Sequence, residues 1–364
     1  MFGNRYTCWG HLRPSGVSLR CVTEEQQELR RRPTISDVAT LAGVSKGAVS
    51  RTFNGGKGIS TATMARIRAA AAELNWTPST AARAVGGGPA HAVGMVLRRP
   101  TELLELDPFF PAFLAGAENA LTSVGYAAVL RFVDDSHTER ECYEQMVGER
   151  RVDGFLLTDL RHRDPRFEWL SRLGTRAVVA GSPGRTCPFP WVSTGGAEQV
   201  RELTRHLIAQ GHRNIAHVSG LPSLRHARSR RQLWEDTLVE AGLQPGPVVT
   251  GDFTTEGGAQ ATRELLDRSP RPTAIFYAND LMAIAGLSVL AENGVKVPDE
   301  VAVAGFDDIS LASYVTPALT TVRCDYRRMG QIAAHTLLAQ LRNEDVAPQI
   351  TIGGELRLRR STGA

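Results

Sequence analysis

The sequence predicts two different folds in one chain: a small all-α helix-turn-helix domain near the N-terminus, then a two-lobed α/β domain with doubly wound parallel sheets. Two short segments with apolar residues at helical spacing, joined by a glycine, indicate the first fold. Alternating apolar strands and amphipathic helices after residue 91 indicate the second. Because the strand candidates outnumber the strands of one comfortable sheet, we expect two lobes.

Composition limits the class of protein. The chain has 364 residues, 42% of them hydrophobic and 22% charged, which is typical of a globular protein with two or three domains. No apolar run approaches the ~20 residues of a membrane span, and the N-terminus lacks the apolar core of a signal peptide. We therefore expect a cytoplasmic protein with no membrane partner.

The cysteines do not form a recognisable framework. They are odd in number and none has a C-x-x-C spacing, so free reduced thiols are favoured over disulfides or a zinc site. We predict no metal and no cofactor. The cysteines are Cys8, Cys21, Cys142, Cys187 and Cys324.

Charge is unevenly distributed along the chain. The whole chain carries a formal charge of +4. Residues 34–85 contain six basic and two acidic side chains, and residues 1–33 contain six arginines and three glutamates, so the remainder is slightly acidic. A basic N-terminal region followed by a slightly acidic remainder is typical of a protein in which one domain binds phosphate groups and a separate domain acts as a sensor. Residues 1–33 have no sustained period and are expected to be a flexible extension.

Residues 34–54 predict two short helices joined by a tight turn. The first helix is expected to begin at Asp37, and the turn falls at Gly43, because glycine takes a left-handed backbone without steric cost. Ser45 is placed as the N-cap of the second helix. The apolar stripes are Ile35, Val38, Ala39 and Ala42 in the first helix, with Val49 and Phe53 in the second. The outward face of the second helix is Lys46, Gly47, Ser50 and Arg51. A helix of this kind fits the DNA major groove.

A third helix completes the small domain. Ser60 is expected to cap it, and an apolar stripe of Met64, Ile67, Ala71 and Leu74 can close a three-helix core. Residues 78–85 then predict one short helix, because a proline stands at its start and glycines follow its end. An ordinary linker is the alternative interpretation of this segment.

Nine apolar segments after residue 91 predict strands. Most end in Gly, Asp or Ser and are separated by amphipathic helices, which is the βαβ pattern of parallel sheets buried on both faces. Ligands of such sheets bind beyond the carboxyl ends of the strands, so a pocket is expected in the cleft between the lobes. The strand candidates are 92–97, 127–133, 152–158, 176–181, 215–219, 248–253, 274–277, 301–306 and 320–324.

The helix-turn-helix segment, with IST near Ile59 and AELNWTPS at 72–79, resembles the head-piece of the lactose/galactose repressor family. KVPDEVAVAGFDDISLASYVTPALTTVRCDY at 296–326 is similar to the family segment that runs from the second lobe back towards the first. The resemblance extends from about Thr34 to the C-terminus. It implies a periplasmic-binding-protein-like sensor of type I, with two lobes and three crossing strands.

The pattern and the resemblance together predict the domain boundaries. Residues 1–33 form the extension, 34–77 the helix-turn-helix domain, 78–90 the hinge helix and linker, and 91–364 the effector-binding and dimerisation domain. Lobe 1 is expected at about 91–190 plus 324–348, and lobe 2 at about 191–320 plus 349–364.

The resemblance also implies which residues contact DNA. Lys46 and Gly47 match the two positions that discriminate between operators, and Arg51 matches a position that contacts a base or phosphate. Gly47 has no side chain, so the helix is expected to read its site through Lys46, Ser50 and Arg51. Residues matching phosphate contacts are Thr34, Ser45, Asn54, Ser60, Thr63 and Trp76. In the hinge helix, Arg83 is placed for groove or phosphate contact. Val85 stands where the family usually has a leucine wedge, so a smaller DNA kink is expected.

An effector pocket is implied in the sensor. Family matching places Arg230, Asn279 and Asp307 in it, and a guanidinium and a carboxylate that converge on one ligand suit sugar hydroxyls. Asp280 and Asp308, which follow two of these residues, are expected to be helix caps instead. The remaining matches are Phe110, Phe253 and Tyr326 as pocket walls and Thr158 as a polar contact.

The expected function is a sequence-specific transcriptional regulator, in the first place a repressor, that binds a palindromic operator as a homodimer. It is expected to respond to a small-molecule effector, by family habit a sugar or a sugar derivative such as a sugar phosphate. The alternative is a solute-binding protein of a transport system, which the head-piece disfavours. An enzyme is not expected. The G-x-S-x-G match at 43–47 follows a helix rather than a strand, and the glycines at 55–58 lack the spacing of a phosphate-binding loop.

Overall fold

A computed structural model describes residues 33–53, 58–77, 88–99, 107–184 and 186–363 of the chain. These residues fall into two compact units, one within 1–79 and the other within 80–364. The predicted extension, except for Pro33, and the predicted hinge helix at 78–85 lie outside the described residues, as do Cys8 and Cys21. Each unit is described separately below.

The N-terminal unit consists of three helices, α1 Ile35–Ala42, α2 Lys46–Phe53 and α3 Thr61–Glu73. Its core is formed by the predicted stripes, since Val38, Val49 and Ile67 have no exposed surface. The left-handed turn at Gly43 is confirmed by a φ of 63°. Ser60 accepts a hydrogen bond from the Thr63 backbone N–H at 3.2 Å, so the predicted cap of α3 is also confirmed.

The start of α1 was predicted two residues too late. Thr34 is its N-cap, and the Asp37 carboxylate accepts hydrogen bonds from the Thr34 backbone N–H and hydroxyl, both at 2.7 Å. An acidic residue three positions after a threonine cap closes a capping box. Asp37 therefore marks the third position of the helix rather than its first.

The second unit contains alternating strands and helices. In chain order these are β1 Ala92–Leu97, α4 Phe109–Thr122, β2 Ala127–Phe132, α5 Ser136–Gly148, β3 Gly154–Leu157, α6 Arg166–Arg172, β4 Arg176–Ala180, β5 Trp191–Ser193, α7 Ala197–Ala209, β6 Ile215–Ser219, α8 Arg225–Glu240, β7 Val248–Thr250, α9 Thr255–Leu266, β8 Ala274–Tyr277, α10 Asp280–Glu292, β9 Ala302–Ala304, β10 Thr321–Arg323, α11 Tyr326–Leu341, β11 Gln349–Thr351 and β12 Glu355–Arg357. Short 3₁₀ helices occur at Ser310–Ser313 and Arg360–Thr362.

These strands form two parallel sheets, which confirms the predicted two-lobed α/β fold. The first sheet has the order β11-β5-β4-β3-β1-β2, and the second has the order β7-β6-β8-β9. Strands β10 and β12 form a separate antiparallel pair. The chain crosses between the lobes after β5, before α11 and after β11, which agrees with the three crossings that the resemblance implies.

The sheets refine the strand and lobe limits predicted from sequence. Strands β5, β11 and β12 were missed, because three residues are too few to show a period of two. Since β5 and β11 pair within the first sheet, lobe 1 continues past residue 190 and past residue 348. The predicted strand at 248–253 ends at Thr250, and the one at 301–306 covers only Ala302–Ala304.

Two glycines fix the position of α11 in lobe 1. A Cβ on Gly116 of α4 would lie 1.8 Å from the Arg327 carbonyl oxygen, and one on Gly330 of α11 would lie 2.0 Å from the Phe113 carbonyl oxygen. The two helices therefore touch backbone to backbone, at positions where only glycine fits. This contact holds the N-terminus of α11, and with it Tyr326, at the boundary between the lobes.

Candidate ligand cleft and nucleic-acid interface

A cavity of about 400 Å³ lies between the two lobes of the second unit. Its walls include residues within three positions of the ends of parallel strands: Arg99, Asp159 and Gly181 in lobe 1, with Asn279 and Asp307 in lobe 2. This is the edge at which doubly wound sheets bind ligands. The volume is within the range of roughly 300–1,000 Å³ that small-molecule sites occupy.

Arg230 lies on the lobe 2 wall and is 9% exposed. It projects from α8, and its guanidinium lies over the Phe306 ring, 3.5 Å from the centroid, while Nη1 donates a hydrogen bond to the Ala278 carbonyl. Stacking on an aromatic face orients the planar guanidinium. The remaining N–H groups of Arg230 are thus held in a fixed direction at the cavity wall.

Asp307 and Tyr326 join the two lobes at the base of the cavity. The Tyr326 hydroxyl, on the first residue of α11, donates a hydrogen bond of 2.5 Å to Asp307 Oδ1. Burial raises the pKa of Asp307 well above its usual range, against the opposing effect of the Arg230 charge. Burial and the Asp307 charge also raise the pKa of Tyr326, so its phenol stays protonated. Asp307 has a φ of 117°, a backbone conformation that side-chain-bearing residues rarely adopt.

Asn279 has a structural function as well as a place on the cavity wall. It is the N-cap of α10, where its Oδ1 accepts a hydrogen bond from the Met282 N–H at 3.0 Å. Its Nδ2 donates to the Phe253 carbonyl at 3.1 Å, which ties two cavity segments together. Asn279 therefore positions the wall as much as it offers polar atoms to a ligand.

Phe253 and His226 form a paired aromatic wall, with ring centroids 5.2 Å apart. Phe253 has a φ of 72°, and a Cβ on Gly220 would lie 2.0 Å from its ring. His226 is an exposed residue at the cavity, and the desolvation it meets there, with the charges of Arg230 and Arg99, lowers the pKa of its imidazole. At neutral pH its imidazole is uncharged and has one donor and one acceptor.

The lobe 1 wall contains an ionic group that sequence reasoning did not identify. Arg99 donates to Asp107 at 2.8 Å and to Asp159 at 2.7 Å, and all three residues line the cavity. The signal was present for Arg99 and Asp159, because each lies within two residues of the end of a predicted strand. Applying the strand-end rule to every strand would have found both.

Two of the residues expected in the pocket do not line it. Phe110 is fully buried in the lobe 1 core, where the Arg99 guanidinium lies over its ring, and the preceding Phe109 lines the cavity instead. Thr158 is 1% exposed behind the wall, and the following Asp159 reaches the cavity. Both expected positions are one residue away from the observed ones, because the direction of a side chain at the start of a helix or just after a strand is not encoded in the apolar pattern.

The helix caps expected at Asp280 and Asp308 were wrong. Asp280 is the first residue of α10 rather than its cap, and its carboxylate accepts hydrogen bonds from Thr321 Oγ1 at 2.5 Å and the Ile309 N–H at 2.9 Å. Asp308 forms an ion pair of 2.6 Å with Arg359. Both aspartates thus connect lobe 2 to the returning chain.

In the first unit, α2 presents the predicted outward surface. Lys46, Gly47 and Arg51 are exposed and Ser50 is half-buried. The opposite side of α2 faces the core of the unit, so the exposed donors are free to approach a groove without disturbing the fold. An exposed basic helix backed by two others is the geometry that a recognition helix requires.

The residues expected to contact phosphates lie mostly at helix N-termini. Thr34, Ser45 and Ser60 precede α1, α2 and α3, and the Ser45 hydroxyl accepts a hydrogen bond from the Ala48 N–H at 3.2 Å. Thr63 shares a hydrogen bond of 2.9 Å with Ser60. Helix N-termini attract anions through their N–H groups and dipole.

Trp76 packs edge-on against Phe53, with ring centroids 5.3 Å apart, so much of its ring serves the core of the first unit. The expected DNA contacts Asn54, Arg83 and Val85 lie outside the described residues.

Three further features bear on the class of protein. Cys142 and Cys324 are buried free thiols and Cys187 is a half-buried one, as expected. Within the described ranges, no group of three or more His, Cys, Asp or Glu side chains is placed to hold a metal ion. None of the helices described here has the length and apolar character needed to cross a membrane.

Comparison with known families matches both units. Residues 34–79 match bacterial regulatory proteins of the lacI family, and residues 204–362 match a periplasmic binding protein-like domain. The chain is 35% identical to the HTH-type transcriptional regulator CelR of Thermobifida fusca over 326 residues, which cover 88% of this chain and 95% of CelR. It is 33% identical to the ribose operon repressor of Escherichia coli K12, with 85% of this chain and 93% of the relative covered.

Solved structures give the same result. The CelR–cellobiose complex superposes with a TM-score of 0.69 at 34% identity, with 91% of this chain and 100% of that chain covered. The lac repressor dimer bound to operator and the anti-inducer ONPF superposes with a TM-score of 0.80 at 27% identity, with 92% and 100% covered.

The Asp307→Asn variant is expected to melt at a higher temperature than the wild-type protein at pH 8. Because the folded pKa of Asp307 lies above its unfolded value, the folded state binds the proton more tightly, and the free energy of unfolding falls as pH rises through this interval. Asparagine keeps the oxygen that accepts from Tyr326 but carries no charge. We expect a gain of at least about 2 °C at pH 8 that shrinks towards pH 4, measured by calorimetry.

The exposed Asp299→Asn variant is the matched control and should melt like the wild-type protein at both pH values. If Asp307→Asn changed the melting temperature equally at pH 4 and pH 8, the burial of an ionised Asp307 would not be a cost to the fold.

Proposed function

The chain belongs to the lacI family of bacterial regulatory proteins, and we propose that it is a DNA-binding transcriptional repressor that acts as a homodimer on a palindromic operator and is controlled by a small neutral carbohydrate. The observation that supports this most strongly is the combination in one chain of an exposed basic recognition helix and an interlobe cavity with polar walls. A solute-binding protein would need only the second. We propose the cytoplasm as its site of action, because chromosomal DNA lies there.

The recognition helix is proposed to read the operator mainly through three residues. Lys46 and Arg51 supply charged donors, Ser50 supplies a hydroxyl, and Gly47 leaves room for a base edge or a thymine methyl. A dimer would place two such helices about 34 Å apart, one helical turn of DNA. The helix N-termini at Ser45 and Ser60 are proposed to hold phosphates and set the register.

A neutral carbohydrate fits the cavity better than a charged ligand. Its walls carry carboxyl groups as well as cations: Arg99 is paired with Asp107 and Asp159, and the charge of Arg230 acts on Asp307. A phosphate needs several uncommitted cations. Sugar hydroxyls both donate and accept, so they suit carboxylates, guanidinium groups and a neutral imidazole at the same wall. Among the relatives, CelR has been crystallised with cellobiose.

The walls also suit the shape of a sugar. Phe109 and Phe253 supply apolar surfaces against which a pyranose ring can lie, while polar groups surround its edge. We assign effector contacts to Arg230, Asn279, Asp307, Phe253 and Tyr326, as the resemblance implied, and add the group of Arg99, Asp107 and Asp159. No enzymatic activity is proposed, because these groups suit ligand recognition and the relatives are transcriptional regulators.

Replacing Arg51 by alanine is expected to remove sequence-specific binding to DNA. One bidentate contact from arginine to guanine is worth about 1–3 kcal/mol, so affinity for the selected operator should fall at least roughly tenfold. The measurement is fluorescence anisotropy on a duplex selected from a random library and on a scrambled duplex of equal length.

The exposed Arg68 on α3 is the control, since Arg68→Ala removes the same charge. It should weaken both duplexes slightly and equally. If Arg51→Ala behaved in the same way as Arg68→Ala, the protein would bind DNA through bulk charge alone.

The class of effector is tested by isothermal titration calorimetry, which measures the binding of neutral sugars, including cellobiose, ribose and glucose. The binding of glucose 6-phosphate is measured for comparison. We expect a neutral sugar to bind and Arg230→Ala to weaken that binding at least roughly tenfold, because it removes charged donors from the wall. Arg228→Ala, an exposed change on the same helix, should leave affinity unchanged. Binding of glucose 6-phosphate with no neutral sugar bound would overturn the assignment.

A further inference from the structure

A second contact joins the lobes at the rim of the cavity, far along the chain from the crossings. The Arg225 backbone N–H in lobe 2 donates a hydrogen bond of 2.7 Å to the Leu160 carbonyl in lobe 1. The neighbouring residues Arg161 and Leu224 form an isolated antiparallel β-bridge. Leu160 and Leu224 are both largely buried, with 4% and 6% of their surface exposed. The two segments therefore pair through their main chains across the cleft, as two β-strands do, but over a single bridge.

The Arg225 side chain adds a third attachment. Its Nε donates a hydrogen bond of 2.8 Å to the Ser182 carbonyl, in the loop that follows β4. The guanidinium lies against Gly184, where a Cβ would lie 2.6 Å from Nη2. One residue at the start of α8 therefore binds the loops after β3 and β4, both in lobe 1. Because Leu160, Ser182 and Arg225 line the cavity, this contact lies directly on its edge.

The lobe 1 side of the contact is held by a buried ionic network. Arg161 donates to both oxygens of Glu139, at 2.7 and 2.9 Å, and Glu139 has no exposed surface. Arg166, 1% exposed, donates to the Thr158 carbonyl at 2.8 Å and to Asp164 at 2.6 Å. The desolvation cost of burying these charges is offset only if the ion pairs and hydrogen bonds between them keep good geometry. The network fixes the loop that presents the Leu160 carbonyl to lobe 2.

We propose that the contact of Leu160 and Arg161 with Leu224 and Arg225 is an interlobe clasp that holds the cavity closed, with Arg225 as its positioning residue. Arg225 and Arg230 lie on the same helix, so opening the clasp frees the N-terminus of the helix that carries the main lobe 2 ligand contact. The clasp itself does not depend on the proposed function. Only its effect on a bound sugar rests on that proposal.

Two substitutions separate the parts of the clasp. Arg225→Ala keeps the backbone donor to Leu160 but removes the bond to Ser182. Arg225→Pro removes both, and proline suits this position, because Arg225 is the first residue of α8 and Leu224 before it is extended, with φ −87° and ψ 131°. Arg228→Ala is the matched control on the same helix, exposed and outside the cavity.

The decisive measurement is the distance between the lobes in the sugar-free full-length protein. Spin labels carried by non-natural amino acids at the exposed positions Ser171 in lobe 1 and Gln260 in lobe 2 report it by pulsed electron paramagnetic resonance. We expect a narrow distribution for the wild-type protein and Arg228→Ala, a shift to longer distances for Arg225→Pro, and an intermediate result for Arg225→Ala. Distributions that are identical in all four proteins would overturn the clasp.

A second readout tests its effect on ligand exit. If cellobiose binds, its dissociation rate, followed by stopped-flow tryptophan fluorescence, should rise at least roughly tenfold in Arg225→Pro, since most changes of affinity appear in the off-rate. An unchanged rate would show that the clasp does not close the cavity. If cellobiose does not bind the wild-type protein, that result counts against cellobiose as the effector and not against the clasp. The distances between the spin labels then decide the clasp by themselves.

Discussion

The hydrogen bond from Tyr326 to Asp307 is the interaction on which the cleft depends. It joins the first residue of a lobe 1 helix to a residue at the end of a lobe 2 strand, where the chain crosses between them. Helix α11 is fixed in lobe 1 by the glycine contact with α4, so Tyr326 has little freedom to follow Asp307. Any ligand that changes the bonding of Asp307 therefore acts on the relation between the lobes.

The second unit contains backbone strain and buried charges, which are costly to the free energy of folding. We attribute them to the requirements of the ligand cavity and of the loops that form it. Asp307 combines a positive φ with a half-buried carboxyl whose pKa is raised by desolvation. Glu139, Asp164 and Arg166 are buried charges in a loop anchor, where apolar side chains of similar volume often give equal or greater stability. Strain and buried charge concentrate where a fold must hold a ligand or change state.

Much of the fold and part of the site could be predicted from the sequence, for physical reasons that differ between elements. The helix-turn-helix followed from apolar spacing and Gly43, and the strand ends pointed to Asn279 and Asp307. Three-residue strands such as β5 carry no periodic signal, so the lobe limits needed the structure. Whether Phe109 or Phe110 reaches the cavity depends on side-chain orientation. The strand ends could have pointed to Arg99 and Asp159, but their pairing with each other and with Asp107 depends on tertiary contacts.

We propose that one equilibrium between states of the two lobes links the cavity to the operator. Coupling of this kind is reciprocal, because an effector that changes operator affinity by some factor must have its own affinity changed by the operator by the same factor. The most direct test titrates the bound sugar by calorimetry into the protein alone and into its complex with the selected operator duplex. We expect two different dissociation constants for the sugar, whose ratio equals the ratio of operator dissociation constants measured with and without sugar. Equal sugar dissociation constants in the two titrations would contradict it.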